Sequence, residues 1–265
     1  MSNSFLYNIP VIIIALFLFA FIILFYIFGF YTIRYQKKKD PRFITTGIVP
    51  MESALLGLLS LLLAFTFDNS AANHNTRNAL LLQEADDIGT ALLRSDLYPD
   101  SIRQQFRKEF KEYIITRIDY YKAKRDAVKI QVALKNADLI STKIWQHASA
   151  ISQQSPLDNQ SIQMIPAINN MIDTMNKREV SRASHVPESI LWLLFLLAMA
   201  GSFIVGYASN SKKINWIVIF VYSFMTVMTV YLILDLDRPR RGIINTDNMH
   251  LNMEKLLDAF KNDNK

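Results

Sequence analysis

The chain has 265 residues, 51% of them hydrophobic and 20% charged, with a formal net charge of +6. That length bounds one or two domains. With no cysteine and 7 glycines, disulfides, thiolate metal sites and catalytic thiols are excluded. A glycine-rich phosphate loop or a multi-turn β-barrel is disfavoured. The apolar residues are gathered in uncharged runs rather than spread periodically, which points to a membrane protein.

The first run, Val11 to Ile33, carries no charge. At ~1.5 Å per residue it is about 34 Å long, enough for a hydrocarbon core of ~30 Å. A signal peptide would need a basic segment in front and a shorter apolar core. Met1 to Pro10 has no Lys or Arg, so an uncleaved anchor is expected. The second run ends at Phe67 and reaches back past Glu52. Two more follow, separated by the polar turn Asn210-Ser211-Lys212-Lys213. The predicted layout is a first membrane hairpin over 1–67, with spans at about 11–33 and 49–67. A helical-bundle insert follows over 68–187. A second hairpin over 188–235 has spans at about 189–210 and 214–235, and a polar tail over 236–265 carries a short amphipathic helix.

Loop charge sets orientation. Arg34, Lys37, Lys38, Lys39 and Arg42 follow the first span, and Lys212 and Lys213 fall on the same side. Both short loops are therefore expected in the cytoplasm and the insert outside. Arg77, Lys177, Arg178, Arg182, Arg238, Arg240 and Arg241 flank the opposite membrane ends, but long loops count for little in this rule. Lys37-Lys38-Lys39 is simplest as a topology determinant, with anionic lipid headgroups as a second use.

The insert reads as helices. Leu81, Ala85, Ile88 and Leu92 recur at helical spacing, so the second span is expected to continue out of the membrane as one helix. Pro99-Asp100-Ser101 is a start signal. Ile102, Phe106, Phe110, Ile114, Ile118 and Tyr121 line one stripe. Ile140, Ile144, Ala148 and Ile151 form another. Ser155 to Asn159 is a break, and Ile162, Ile165, Ile168, Ile172 and Met175 form the last. An antiparallel helical bundle follows. In the tail, Asp247 or Asn248 is a cap for a helix with Leu251, Leu256, Leu257 and Phe260 on one face.

Membrane helices pack closely through small residues. The second span offers Gly57, Ser60 and Ala64, after Ser53. The third offers Ala198, Ser202 and Gly206 at four-residue spacing. The first is studded with Phe17, Phe19, Phe21, Phe25, Phe28 and Phe30. The second and third spans are therefore expected inside and the first against lipid.

Chemistry is sparse. His74, His147, His185 and His250 stand apart, with no metal-ligand spacing among them. No nucleophile elbow, Walker loop or dinucleotide motif is present. No catalytic residue, cofactor or metal is expected, and the chain is not read as an enzyme. Its basic residues are scattered or pinned to membrane ends, which argues against nucleic acid. Glu84, Asp86 and Asp87 read as a solvated acidic face rather than a cation site. Two motifs mark membrane exits. One runs from Phe65 to Asp68, with Arg77 and Glu84 beyond it. The other is Asp235-Leu236-Asp237-Arg238-Pro239-Arg240-Arg241-Gly242. Each places carboxylates within a turn of the membrane face, where a charge needs water or a partner. Pro239 is expected to end the last helix and Gly242 to redirect the chain. The pattern fits a neutralised helix end or a charged ring at a pore mouth. Asp237 is expected to pair with Arg241 or Arg77, and Arg238 with Asp68 or Glu84.

These segments resemble the bestrophin-like family of uncharacterised, mainly bacterial membrane proteins. The likeness is carried by Leu58 to Phe67 with Asp68, by Arg77, Glu84-Ala85, Ile88, Leu92 to Arg94 and Tyr113, and by Asp235 to Gly242. It spans nearly the whole chain and implies a distant likeness to bestrophins, pentameric chloride-conducting channels whose second membrane helix lines the pore neck with apolar side chains. Bestrophins carry their large domain in the cytosol, whereas the loop charges here place it outside.

The chain is thus expected to be an all-α, multi-pass protein of the bacterial inner membrane, assembled as a homo-oligomer in the bilayer. The expected function is an ion channel or transport-related complex, with an anion implied by the resemblance alone. The rival reading is a membrane-anchored sensor or scaffold whose bundle binds a ligand or partner.

Overall fold

Within hydrocarbon, backbone polar groups are satisfied only inside the segment that carries them, so long uncharged runs must be helical. In the computed structural model, which describes residues 5–40, 48–123, 126–154, 159–209, 211, 213–238 and 250–261, helices dominate and no strand occurs among the described residues. The helices are α1 (Phe5–Asn8), α2 (Val11–Lys39), α3 (Ile48–Ser95), α4 (Asp100–Lys122), α5 (Ala127–Gln154), α6 (Asn159–Ala183), α7 (Glu188–Ala208), α8 (Trp216–Leu236) and α9 (His250–Lys255). A 3-10 turn, Leu256–Phe260, follows α9. Four of these elements hold stretches long and apolar enough to cross a membrane: α2, α3, α7 and α8. The chain is a membrane protein.

It divides into two compact units. One comprises Met1–His74 with His185–Arg238, and the other Asn75–Ser184 with Pro239–Lys265. Helix α3 contributes its first part to one and its second part to the other.

In the membrane unit, α2 is the helix the others pack on. Val11, Ile14, Leu18 and Ile22 meet Leu191, Leu194 and Ala198 of α7 and Val230, Ile233 and Leu234 of α8 in one buried cluster. The α2–α7 contact is backbone on backbone. A Cβ at Gly206 would lie 2.1 Å from the Tyr26 carbonyl oxygen, and one at Gly29 would lie 2.1 Å from that of Phe203. Between them Ser202 Oγ donates to the Ile22 carbonyl at 2.6 Å. The Ala198–Ser202–Gly206 stripe is therefore a contact surface, but its partner is α2. This corrects the expectation that the first span faces lipid. Phe17, Phe21 and Phe28 do point outward, yet the opposite face of the same helix is buried, with Ile22 fully covered. The bulky residues hid Gly29, which admits the neighbouring backbone.

Helix α3 is the converse case. It touches α7 where Gly201 meets Leu56, and Leu59 is buried. Gly57 has nothing within 4 Å of a built Cβ, and Ser60 and Ala64 are exposed. Ser60 Oγ turns back onto the Leu56 carbonyl at 2.8 Å, the usual resort of a serine without an interhelical partner. Only 6% of the most apolar stretch of α3 is buried, against 33% for α2. The second span is thus not an inner helix of its own chain.

In the other unit, Ala85, Ile88 and Leu92 of α3 pack with Phe106, Phe110 and Ile114 of α4 and Ile144 and Ala148 of α5, and Leu81 is buried as well. The predicted α6 stripe is rotated. Ile168 and Met175 are buried and Ile165 and Ile172 half-buried, but Ile162 is 57% exposed while Met164 and Met171 fill the core. Unbranched methionine fits irregular gaps that a β-branched side chain does not. Met253 and Phe260 of the tail join this core, and Arg107 donates to the Ala259 carbonyl at 2.6 Å. Leu251, placed on the tail's apolar face by its spacing, is exposed. Asp247 and Asn248 lie outside the described residues.

Gly206→Ala should destabilise the detergent-solubilised protein by about 2–3 kcal/mol, because backbone must move to admit the methyl group. Gly57→Ala should be neutral or slightly stabilising, since it adds helix propensity in open space. Equal melting temperatures for the two variants would remove the backbone contact from the account.

Candidate functional site

The residues singled out in the sequence fall into three places. The first is the open face of α3. Leu58, Leu61 and Phe65 are exposed by 45%, 52% and 65%, and Gly57, Ser60, Ala64 and Asp68 are exposed beside them. Spacings of three and four put Leu58, Leu61 and Phe65 on one stripe. It is apolar through its length and ends in the Asp68 carboxylate.

The second place is the end of α8. Asp237 is completely buried, and Asp235 and Arg238 nearly so. Oδ2 of Asp237 accepts the backbone N–H of Val186 at 2.8 Å and is also contacted by the Tyr7 hydroxyl. That hydroxyl lies 2.9 Å from the Val186 carbonyl as well, but its single proton goes to the charged acceptor, which makes the stronger bond. Burial, followed by the bond to Asp237, pushes the Tyr7 phenol well above its ordinary range, so Tyr7 stays a donor. Arg238 donates to the carbonyls of Leu6 at 2.7 Å and Ile9 at 2.6 Å, saturating the end of α1. Glu188 accepts the Leu6 N–H at 2.9 Å. His185 stacks on Tyr7 with ring centres 4.7 Å apart, and its Nδ1 is 3.0 Å from the Asp237 carbonyl oxygen. The chain before the first span is thereby clamped to the end of the last. Sequence reasoning sought partners for Asp237 and Arg238 among other charges; Tyr7 and main-chain groups leave no charge signature. Gly242, Pro239, Arg240 and Arg241 lie outside the described residues.

The third place is within the helical unit. Glu84 is not part of a solvated acidic face. It is fully buried, its Oε1 2.5 Å from Arg117 Nε and its Oε2 3.1 Å from Arg117 Nη2. Arg178 contacts the same Oε2. Gln83 and Thr174 donate to Asp87 at 2.9 and 2.6 Å. Arg77 donates from Nε to the Ser181 carbonyl at 3.2 Å and from Nη2 to that of Ser184 at 2.5 Å, a cation closing the C-terminus of α6. Arg117 was legible in principle, because it interrupts the apolar stripe of α4 between Ile114 and Ile118. His147 Nδ1 is 3.2 Å from the buried Glu109 carboxylate, and no group of three or more metal-ligating side chains occurs among the described residues.

Removing one partner of a buried charge pair costs roughly 3–5 kcal/mol, because the other charge is left behind. Glu84→Gln should destabilise on that scale, and Asp237→Asn, which weakens hydrogen bonds to a charged acceptor, by about 1.5–3 kcal/mol, whereas Asp68→Asn, on the open face, should leave stability within about 0.5 kcal/mol. Chemical unfolding of the three variants in detergent checks this; a silent Asp237→Asn would show that the clamp holds nothing.

No curated protein matches this sequence. Among solved structures, the fold is similar to a bacterial bestrophin homologue from Klebsiella pneumoniae carrying a point mutation. The TM-score is 0.71 at 12% identity, over 94% of this chain and 97% of that one. A second structure of a Klebsiella pneumoniae homologue, phased on zinc, gives 0.66 at 13% identity over 92% and 97%. At such identity the likeness establishes an all-helical, bestrophin-like fold. The Bestrophin-like domain model matches residues 12–248, and the chain belongs to the bestrophin-like family.

Proposed function

We propose that the protein is a subunit of a homo-oligomeric ion channel in which the open face of α3 lines the conduction path. One observation carries the reading: Gly57, Leu58, Leu61 and Phe65, in a helix apolar enough to span a bilayer, lie exposed on its open face. Copies arranged about an axis would gather these faces, and a ring of apolar side chains ending in carboxylates is a way to build a gated, selective pore. Membership of the family supports the same reading. The two membrane hairpins flank the helical insert, and loop charges favour an insert outside the cytoplasm of a bacterial inner membrane. An anion is the permeant species on family likeness alone, and a ring of Asp68 would oppose it.

Planar-bilayer recording of the purified protein, with its oligomeric mass measured in parallel, tests the proposal. Phe65→Ala should raise unitary conductance, and Asp68→Asn should shift the reversal potential towards the anion in a salt gradient. A stable oligomer that passes no current would favour a sensor or scaffold instead. Orientation is tested separately in this cysteine-free chain. A cysteine replacing Gln131 should react with an impermeant thiol reagent on intact cells, and one replacing Lys38 should not. The reverse pattern would put the insert in the cytoplasm.

A further inference from the structure

The end of α2 carries charge that the proposed conduction path does not use. Arg34, Lys37, Lys38 and Lys39 are exposed there, and Lys213 is exposed in the link between α7 and α8. Arg34 Nη2 donates to the Ser211 carbonyl at 3.2 Å, which brings that link to the same end of the membrane unit. The carboxylates nearest to these cations in sequence are Asp40 and the half-buried Glu52. Set against both, the cations still leave a positive excess.

The same end opens onto an apolar groove. Ile23 of α2 and Trp216, Ile217, Ile219 and Phe220 of α8 line it. Ile219 is buried at its floor, while Trp216, Ile217 and Phe220 are 58%, 77% and 56% exposed along its wall. Ile219 clusters with Tyr26 and Phe30, and Ile23, Ile27 and Ile214 pack against them. The Arg34 guanidinium carbon sits over this cluster, 4.1 Å from the centre of the Phe30 ring. Ile23, Ile27, Phe30, Arg34 and Lys38 recur at spacings of three and four, so one stripe of α2 runs from the groove to the basic end. Arg34 lies about 16 Å along the helix axis from Ile23, close to the ~15 Å of hydrocarbon in one leaflet. Tyr31 and Tyr35 are exposed at the basic end and Trp216 beside it, as aromatic side chains at headgroup level are.

We propose that the α2–α8 groove and the basic end beyond it hold one anionic phospholipid. An acyl chain lies along Ile23 and Ile219, and the headgroup phosphate sits among Arg34, Lys38 and Lys213. A neutral lipid would fill the groove equally well but gain nothing from the cations. A free phosphate would meet the cations and leave the groove unfilled. The stripe from Ile23 to Arg34 has the length of one leaflet, so a single lipid molecule satisfies both halves of the site. The site lies within the membrane unit and does not depend on whether the protein conducts.

The test uses full-length protein in bilayers of phosphatidylglycerol and phosphatidylcholine, one of the two carrying brominated acyl chains, which quench tryptophan fluorescence on contact. The chain has three tryptophans. Trp145→Phe with Trp192→Phe leaves Trp216 to report on the groove. Trp145→Phe with Trp216→Phe leaves Trp192, at the opposite end of α7, as the control. Brominated phosphatidylglycerol should quench Trp216 at a lower mole fraction than brominated phosphatidylcholine does, and Trp192 should show no such preference. In the Trp216 reporter, Lys38→Gln combined with Lys213→Gln should cut the preference about twentyfold, at about fivefold for each lysine near an anionic headgroup. Both lysines are exposed, so the melting temperature in detergent should not change. Equal quenching of Trp216 by the two lipids overturns the site. So does a preference that the double lysine variant retains, or one that Trp192 shares. Should a tryptophan variant not fold, native mass spectrometry of the unaltered chain from mixed micelles decides. A single phosphatidylglycerol retained per subunit is expected, and no preference over phosphatidylcholine overturns the proposal.

Discussion

Gly29 and Gly206 hold α2 and α7 at a distance where no side chain fits between the two backbones. Lipid tails are as apolar as the side chains they would replace, so burial from water does not drive helices together in a bilayer. Dispersion contacts and the occasional interhelical hydrogen bond do. Both are present at this crossing, where Ser202 reaches the Ile22 carbonyl. Once α2 and α7 are joined, α8 can lay Val230, Ile233 and Leu234 along the same cluster. Three of the four apolar spans are then held through α2. The fourth, α3, keeps one side for Leu56 and Leu59 and presents the other to whatever lies beyond the chain.

The charges near the membrane ends follow from a different constraint. A carboxylate removed from water needs either a cation or several hydrogen bonds. Asp237 takes the second route, accepting a phenol and a main-chain N–H, while Arg238 beside it spends its donors on two carbonyls. Each of these neighbouring residues thus draws on phenol or main-chain groups. The result ties α1 to the end of α8, from opposite ends of the chain. Glu84 takes the first route, and its two arginines come from α4 and α6. Each arrangement holds together segments that hydrophobic periodicity alone does not bring into register.

The sequence exposed those features that repeat or that break a rule. Uncharged runs announced apolar helices, and the stripe from Leu81 to Leu92 announced that the second of them continues past its apolar stretch, as α3 does to Ser95. The four-residue spacing of Ala198, Ser202 and Gly206 pointed to a packing surface but left its partner undetermined, since one stripe does not name the helix it meets. Gly29 was overlooked because a single small residue among aromatics has no periodicity. Ile162 was placed in the core by spacing, whereas Met164 and Met171 occupy it. Tyr7 lies 230 residues from Asp237, and nothing in a phenol's local context reports a distant carboxylate. Glu84 looked solvated because its neighbours Asp86 and Asp87 are acidic, although a helix turns each of them to a different side.

The open face of α3 is where these constraints converge. A membrane helix whose small residues faced lipid would forgo the close contact that small residues permit. One whose serine turned back on its own backbone would still lack an interhelical bond, as Ser60 does. Leu58, Leu61 and Phe65 would sit comfortably in lipid, but Asp68 immediately beyond them has to reach water. The proposed assembly about a shared axis would meet both demands: apolar rings would make a narrow dry stretch, with the carboxylates where it opens to solvent. The same face would serve poorly as an isolated anchor, since an anchor needs neither small residues in a row nor an acid at the end of its apolar stripe. The clamp at Asp237 and the Gly29–Gly206 crossing leave α2, α7 and α8 committed to one another. That leaves α3 as the span least engaged within its own chain, with 6% of its most apolar stretch buried.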